Sequence, residues 1–450
     1  MGKGRPVPAH PDQTWVPVPP ASDFPLANLP YGVFTRPGQA PRLGVAIGAH
    51  VLDLSVLAAE GLLDDAVEGL LDDAVEGARV ACAAPALNPL LERGRPAWTA
   101  LRTRLLELLA EPNREIRDRP GLAERVLVSQ TDVTLGLPFV VADYVDFFSS
   151  LEHATNLGRI LRPGTDPLQP NWRHLPVGYH GRSGTIVPSG TPIVRPRGQL
   201  GPPPPGEARA AFGPTRCLDL EVEVGFVTGP VTTPIPAERA EEHIFGFVLV
   251  NDWSARDLQA WEYRPLGPFL GKSFATSVSP WVVPLEALAP YRCPGPPQDP
   301  PVLDHLAASG DRAIDLHLEA TLSTQAMRAE GTAPFVLCRT NLRHLYWAPA
   351  QQLAHVTSNG ATVRAGDLYA SGTVSGPGPS SAGSLVERTW NGERPLSLPG
   401  GETRTFLVDG DTVTVRGWCG GDGRPRIGFG AVSGTVTAGC MSACKSYYKS

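Results

Sequence analysis

The stretch Leu218-Asp219-Leu220-Glu221-Val222-Glu223-Val224-Gly225-Phe226 alternates apolar and acidic residues with the period of a β-strand. That period predicts Leu218, Leu220, Val222, Val224 and Phe226 on one face and Asp219, Glu221 and Glu223 on the other. Carboxylates two residues apart on one face repel unless water or a cation screens them. The pattern reads either as the wet face of an amphipathic strand or as part of a divalent-cation site, because hard cations take several carboxylate oxygens.

Working outward, Phe245 to Val250 is a near-continuous apolar run, as expected of a strand buried on both faces, and it stops at Asn251-Asp252. Asp252 at the end of such a strand is well placed as a ligand. Ser254-Ala255-Arg256-Asp257 has the form of a capping box, so the sequence predicts a helix from Ser254 with Arg256, Gln259 and Tyr263 on one face. That face is either a group of binding side chains or a solvated helix surface. Upstream, DYVDFFSSLEHATN at 143–156 sets Asp146 and His153 among aromatic residues, with Arg162 beyond. Imidazole is the usual general base near neutral pH, so a place beside the carboxylates would make His153 a candidate.

Composition bounds the rest. Of 450 residues 48 are Gly and 48 are Pro, both poor in helix interiors, which predicts a loop-rich chain and excludes coiled coils, helical solenoids and collagen. An apolar fraction of 42% on 47.9 kDa supports a substantial core in two or three domains. The net charge is −6 with scattered basic residues, so no nucleic-acid footprint is expected. No apolar stretch approaches about 18 residues and the first twenty residues carry no signal-peptide core, so neither a membrane nor export is expected. Seven dispersed cysteines without a CxxC pair point away from structural zinc and toward a reducing cytoplasm.

Short apolar strings at Val33-Phe34, Val45-Ala46-Ile47 and Val51-Leu52 predict small curved strands, and Trp98, Leu101, Leu105 and Leu108 fall at helical spacing. An N-terminal module ending near residue 137 follows, with residues 138–450 strand-rich between breaker-rich loops at 201–206, 294–301 and 376–383. The octet LLDDAVEG at 62–69 recurs at 70–77 and reads as a tandem duplication of a surface segment, and the last ten residues read as a frayed tail. Gly267 to Ser273 has only three residues between its glycines, one fewer than a phosphate-binding P-loop, and neither G-x-S-x-G nor HExxH occurs.

The motifs DYVDFFSSLEHATN, LPVGYHGR, LDLEVEVGF, HIFGFVLVNDWSARDLQAWEY, PLGPFLGKSFATS, GDLYASGTVSG and GSLVERTW, in this order, resemble the fumarylacetoacetase family from about Phe24 to about residue 436. The resemblance implies a mainly β fold with minor α: a small SH3-like β-barrel over 1–137 and a large mixed β-roll catalytic domain over 138–450, paired as a cytoplasmic homodimer. It implies hydrolysis of a carbon–carbon bond in a small diketo acid, 4-fumarylacetoacetate, the last step of tyrosine and phenylalanine catabolism.

The same resemblance implies that Mg²⁺ and/or Ca²⁺ is held by Asp146, Glu221, Glu223 and Asp252, with Lys272 and Thr276 at a second, structural cation position. His153 matches the general base, oriented by Glu387. Arg256, Gln259 and Lys272 match stabilisers of developing negative charge, and Phe148, Arg162, Tyr179, Gln259, Tyr263 and Thr373 match substrate contacts. The residue types fit the chemistry: expelling an enolate needs a Lewis acid and fixed donors, and water needs a base. Two departures stand out. Phe148 replaces a tyrosine usual in the family, removing a hydroxyl, and Ala275 replaces a glycine beside Thr276, where its methyl would crowd the second cation position. A relative acting on another oxo acid (an acylpyruvate hydrolase, a decarboxylase or a tautomerase) and an inactive metal-bound scaffold are the competing readings.

Overall fold

The computed structural model describes residues 13–63, 80–421 and 423–439. Both copies of the duplicated octet beyond Leu63, and the tail from 441, lie outside them. The fold is mainly β with minor helix, built on a mixed sheet of 13 strands. Its path runs through Leu127–Ser129, His50–Asp53, Arg42–Ile47, Tyr31–Thr35, Trp281–Pro284, Ile244–Asp252, Val222–Thr228, Leu368–Ala370, Tyr144–Phe147 and Gly178–His180. Leu368–Ala370 runs parallel to Tyr144–Phe147, and Thr276–Val278, which pairs with Ile244–Asp252, runs parallel to Ile186–Pro188.

The apolar run at 244–250 behaves as its composition demands. Ile244, Phe247 and Leu249 enter one core, while Phe245, Val248 and Val250 enter another on the opposite face. The first core lies between this sheet and a five-stranded sheet ordered Phe335–Asn341, Leu316–Ser323, Thr412–Gly421, Arg424–Thr437 and Ile193–Val194. Val222, Val224 and Phe226 face it, as the period-two reading requires. The second core is closed by the N-terminal strands and by the Gly94–Leu109 helix, which buries Trp98, Leu101, Leu105 and Leu108 as its spacing predicted. Trp98 meets Phe245 edge to face at 5.2 Å. Each such large apolar side chain contributes about 1.5–3 kcal/mol relative to exposure.

Among the described residues the N-terminal strands do not close on themselves. Tyr31 pairs with Val282 and Gly32 with Trp281, so the expected barrel is an open ladder that continues into the central sheet. Strand edges left by an unclosed barrel must be paired or covered, and the Trp281–Pro284 strand does so here. Among the described residues no helix is long and apolar enough to cross a membrane.

The junction makes a sharp demand at Gly32. A Cβ there would sit 2.6 Å from the Trp281 ring and 2.8 Å from the Pro280 carbonyl oxygen. Gly32→Ala is expected to lower unfolding stability by about 1–3 kcal/mol, seen as a lower denaturant midpoint at unchanged slope. A midpoint equal to that of the unmutated chain would contradict this account of the junction.

Candidate functional site

The site forms where antiparallel strands bring the start of one beside the end of another. Val222 pairs with Asn251 and Glu223 with Val250, which sets Glu221 and Glu223 next to Asp252 at the last position of its strand. Asp146 arrives from Tyr144–Phe147, whose neighbour Leu368–Ala370 pairs in turn with Val222–Thr228. Ligand oxygens of Asp146, Glu221, Glu223 and Asp252 all lie within 4.8 Å of one another, and all four residues are buried. Both oxygens of Glu223 and Oδ1 of Asp146 have no hydrogen-bond partner. A buried carboxylate without a partner is strongly unfavourable, so these orphaned oxygens fit a cation.

The electrostatics agree. Burial, then the neighbouring carboxylates, push Asp146 and Glu223 well above the usual carboxylate range. Burial also raises Asp252. Burial opposes ionisation of Glu221 too, but the Lys272 ammonium and Arg256 guanidinium outweigh it and hold this carboxyl well below its ordinary value. Lys272 Nζ bonds Glu221 Oε2 and lies 2.6 Å from Asp252 Oδ2, while Thr276 Oγ1 donates to Asp252 Oδ1 at 2.7 Å. A protonated amine has no lone pair, so the Lys272 side chain meets the cluster as a charge, not as a ligand. The chain's 39 Lys and Arg residues include four lysines, at 3, 272, 445 and 449, so Lys272 alone lies in the described segments.

His153 stands in the Leu151–Leu161 helix, whose N-cap Ser150 accepts the His153 backbone N–H at 3.2 Å. Its ring is 3% exposed, with Nδ1 at 2.7 Å from Glu387 Oε2 and Nε2 at 3.9 Å from Glu221 Oε1. An accepting carboxylate at Nδ1 fixes the tautomer, leaving the Nε2 lone pair toward the acidic cluster. Burial would raise Glu387, but the His153 ring and hydrogen bonds from His153, Asn156 and Ser384 hold it below its usual value. Glu387 Oε2 also accepts from Ser375 Oγ at 3.0 Å and Ser384 Oγ at 2.7 Å, and Oε1 from Asn156 Nδ2 at 3.0 Å. Asn156 is one helical turn from His153 in the quoted motif, and Ser384 stands three residues before Glu387 in the S-x-x-E spacing of a capping box, whereas Ser375, within GDLYASGTVSG, has no spacing that ties it to Glu387.

Arg256 is buried with Nε on Asp219 Oδ2 at 2.8 Å, Nη2 at 2.8 Å from Glu221 Oε1 and Nη1 donating to Gln259 Oε1 at 3.0 Å. Arg256 and Gln259 thus share a face, but the helix does not begin at Ser254. Ser254-Ala255 form a short strand against Leu218-Asp219, and the helix runs over Arg256–Glu262. Asp257 cannot complete the expected capping box because its carboxylate is taken by the Thr215 hydroxyl and, at 3.0 Å, by the Arg216 backbone N–H. The expected single strand 218–226 is split into Leu218–Asp219, paired with Ser254–Ala255, and Val222–Thr228 in the central sheet, and Asp219 joins Arg256.

The remaining sequence candidates surround this centre unequally. Phe148 is half-buried, its ring edge to face with His153 at 5.2 Å. Tyr179 pairs opposite Asp146 across the strands, and burial together with that carboxylate holds its phenol un-ionised. Thr373 is buried with Oγ1 unpartnered, on a turn where Gly372 adopts φ +74° and a Cβ would sit 2.1 Å from the Phe147 carbonyl oxygen. Arg162 donates from Nη2 to the Pro167 carbonyl at 2.9 Å, with Nε unpartnered. Tyr263 caps the end of the Arg256–Glu262 helix and stacks under Arg264, without a bond to the cluster. Ala275 is buried in the main apolar core beside Thr276.

Residues 144–437 match the model of the fumarylacetoacetate hydrolase C-terminal domain, and residues 27–138 match that of the fumarylacetoacetase N-terminal domain. The chain is 46% identical over 427 residues to the fumarylacetoacetase of Homo sapiens, covering 94% of this chain and 98% of that protein. It is 46% identical over 430 residues to the fumarylacetoacetase of Caenorhabditis elegans, covering 94% and 99%. For the fumarylacetoacetase of Arabidopsis thaliana the identity is 46% over 419 residues, covering 92% and 96%.

Burial and the neighbouring carboxylates raise Asp146 and Glu223 well above the usual carboxylate range, and a carboxyl must be ionised to ligate a cation. Divalent-cation affinity is therefore expected to rise with pH as these groups ionise, and binding over that range to release protons. Titration calorimetry with Mg²⁺ or Ca²⁺ in two buffers of different ionisation enthalpy measures this directly. Heats that do not depend on the buffer would refute it.

Proposed function

The chain belongs to the fumarylacetoacetase family, and on that premise we propose that it hydrolyses 4-fumarylacetoacetate to fumarate and acetoacetate, closing tyrosine and phenylalanine catabolism. The observation that carries the reading is the buried His153–Glu387 pair at 2.7 Å, whose free ring nitrogen faces a buried cluster of four carboxylates. We assign Mg²⁺ and/or Ca²⁺ to Asp146, Glu221, Glu223 and Asp252, with Thr276 and Lys272 beside Asp252. When bound, the cation supplies Lewis acidity toward the diketone oxygens.

In this reading His153 Nε2 takes a proton from water while Glu387 holds the ring and stabilises the imidazolium, the logic of a Ser-His-Asp triad with water in place of serine. The hydroxide adds to the carbonyl carbon of the fumaryl half. The carbon–carbon bond then breaks, its electron pair leaves on acetoacetate as an enolate, and His153 returns the proton. Arg256 engages the oxygen of the Gln259 amide, so the amide N–H₂ is the end left to donate. Lys272 uses bonds to Glu221 and Asp252 and keeps a third N–H. Preorganised donors of this kind are worth about 3 kcal/mol each when they meet a developing oxyanion. Arg162 suits a substrate carboxylate by its planar fork, with Tyr179, Tyr263 and Thr373 as further contacts and Phe148 as an apolar wall. Division into residues 1–137 and 138–450, a homodimer and a cytoplasmic location complete the proposal.

Phe148 favours one second reading, turnover of a related acylpyruvate, because the ring presents no hydroxyl to the substrate. Purified protein with Mg²⁺ or Ca²⁺ is expected to consume the ultraviolet absorbance of fumarylacetoacetate in preference to acylpyruvates, and excess chelator to abolish the activity. Full activity in chelator, or a preference for acylpyruvates, would overturn the first reading. His153→Gln is expected to lower kcat roughly 10²–10⁴-fold, the usual contribution of a general base. Phe148→Tyr restores one hydrogen bond of about 1 kcal/mol, so steady-state kinetics should show KM falling roughly fivefold at similar kcat.

A further inference from the structure

The structure assigns to Asp219 the role of a positioning residue that fixes the Glu387 helix and Arg256 relative to one another. What the positioned groups do rests on the hydrolysis proposed above; the positioning itself stands on geometry. Asp219 is fully buried and lies outside the set of four carboxylates whose ligand oxygens converge. Its Oδ1 accepts the backbone N–H of Leu220 at 2.8 Å and of Leu385 at 2.7 Å. Its Oδ2 accepts Arg256 Nε at 2.8 Å and the backbone N–H of Val386 at 3.0 Å. An ionised carboxylate offers about four acceptor sites, and these four bonds occupy them.

The partners explain the arrangement. Leu385 and Val386 open the four-residue helix Leu385–Arg388, and first-turn N–H groups have no partner within a helix. A helix this short makes few internal hydrogen bonds, so contacts from outside set its position. Glu387 follows Val386 directly and orients His153. On its other side the same carboxylate holds Arg256 Nε, which leaves the two terminal nitrogens for Glu221 and Gln259. One side chain, 166 residues before Leu385 and 37 before Arg256, therefore sets the spacing between the proton-handling pair and the cationic donor.

Asp219→Asn keeps the shape but turns an N–H₂ against N–H donors. It is expected to lower kcat about 10–100-fold with KM changed less than about threefold, as loss of an outer-shell partner does. Mg²⁺ affinity by calorimetry should be unchanged, and hydrogen exchange across 384–388 should quicken. The losses of Asp219→Asn and Glu387→Gln should combine less than multiplicatively, since one acts through the other. Multiplicative losses, or a fall in kcat and cation affinity together with a rise in KM, would assign Asp219 a merely structural role. If Asp219→Asn does not fold, Asp219→Glu keeps the charge but displaces it: quicker exchange across 384–388 with Mg²⁺ affinity retained is expected, and unchanged exchange overturns the proposal. Should the unmutated chain not turn over fumarylacetoacetate, the proposed reaction falls. The exchange at 384–388 in Asp219→Asn then decides the positioning alone, unchanged protection refuting it.

Discussion

Four carboxylates buried within one small volume are the constraint on which the rest of this molecule depends. Removing even one ion from water carries an effective penalty of several kcal/mol, and like charges at such distances oppose one another's ionisation. The protein answers with two fixed cations, Lys272 and Arg256, set directly on Glu221, while burial raises Asp146 and Glu223 well above the usual carboxylate range. That answer is incomplete by design. Two oxygens of Glu223 and one of Asp146 stay without a partner, and a bound cation would supply one to each.

The fold is arranged to hold this unfavourable cluster in place. The strand at 244–252 is buried on both faces, so each of its ends is fixed by two independent apolar cores, not by the polar site itself. Packing of that extent can outweigh a local electrostatic penalty, because each large side chain contributes on the order of 2 kcal/mol. The N-terminal strands serve the same end: by joining the central sheet through Tyr31 and Gly32 they cover the face that carries Phe245, Val248 and Val250. Donors set in such a frame need no rearrangement when charge develops, which is the source of their catalytic effect.

Much of the site is legible in the sequence because its chemistry follows regular elements. Period two places Glu221 and Glu223 on one face, the end of an apolar run marks Asp252, and the 143–156 motif brings Asp146 and His153 into view. The reading goes astray where a local signal meets a non-local competitor. Ser254 and Asp257 have the spacing of a capping box, yet Ser254 is drawn into pairing with Asp219 and Asp257 is captured by Thr215 and Arg216. Of the serines that hold Glu387, Ser384 carries the S-x-x-E spacing at the N-cap of the same short helix, whereas Ser375 reaches it from a segment whose course no periodicity describes.

Asp219 shows where the division falls. By itself the sequence determined which way that side chain points, since strand dihedrals fix alternation residue by residue, and it determined the chemical kinds of group available: acids, an imidazole, an ammonium and a guanidinium. Only the tertiary structure decided that Asp219 meets Arg256 and the amides of Leu385 and Val386, while Glu221 meets Lys272. The reason is physical. Side-chain direction is a property of neighbouring backbone angles, whereas neutralising a buried charge is a through-space requirement met by whichever partner the packed sheets bring within about 3 Å.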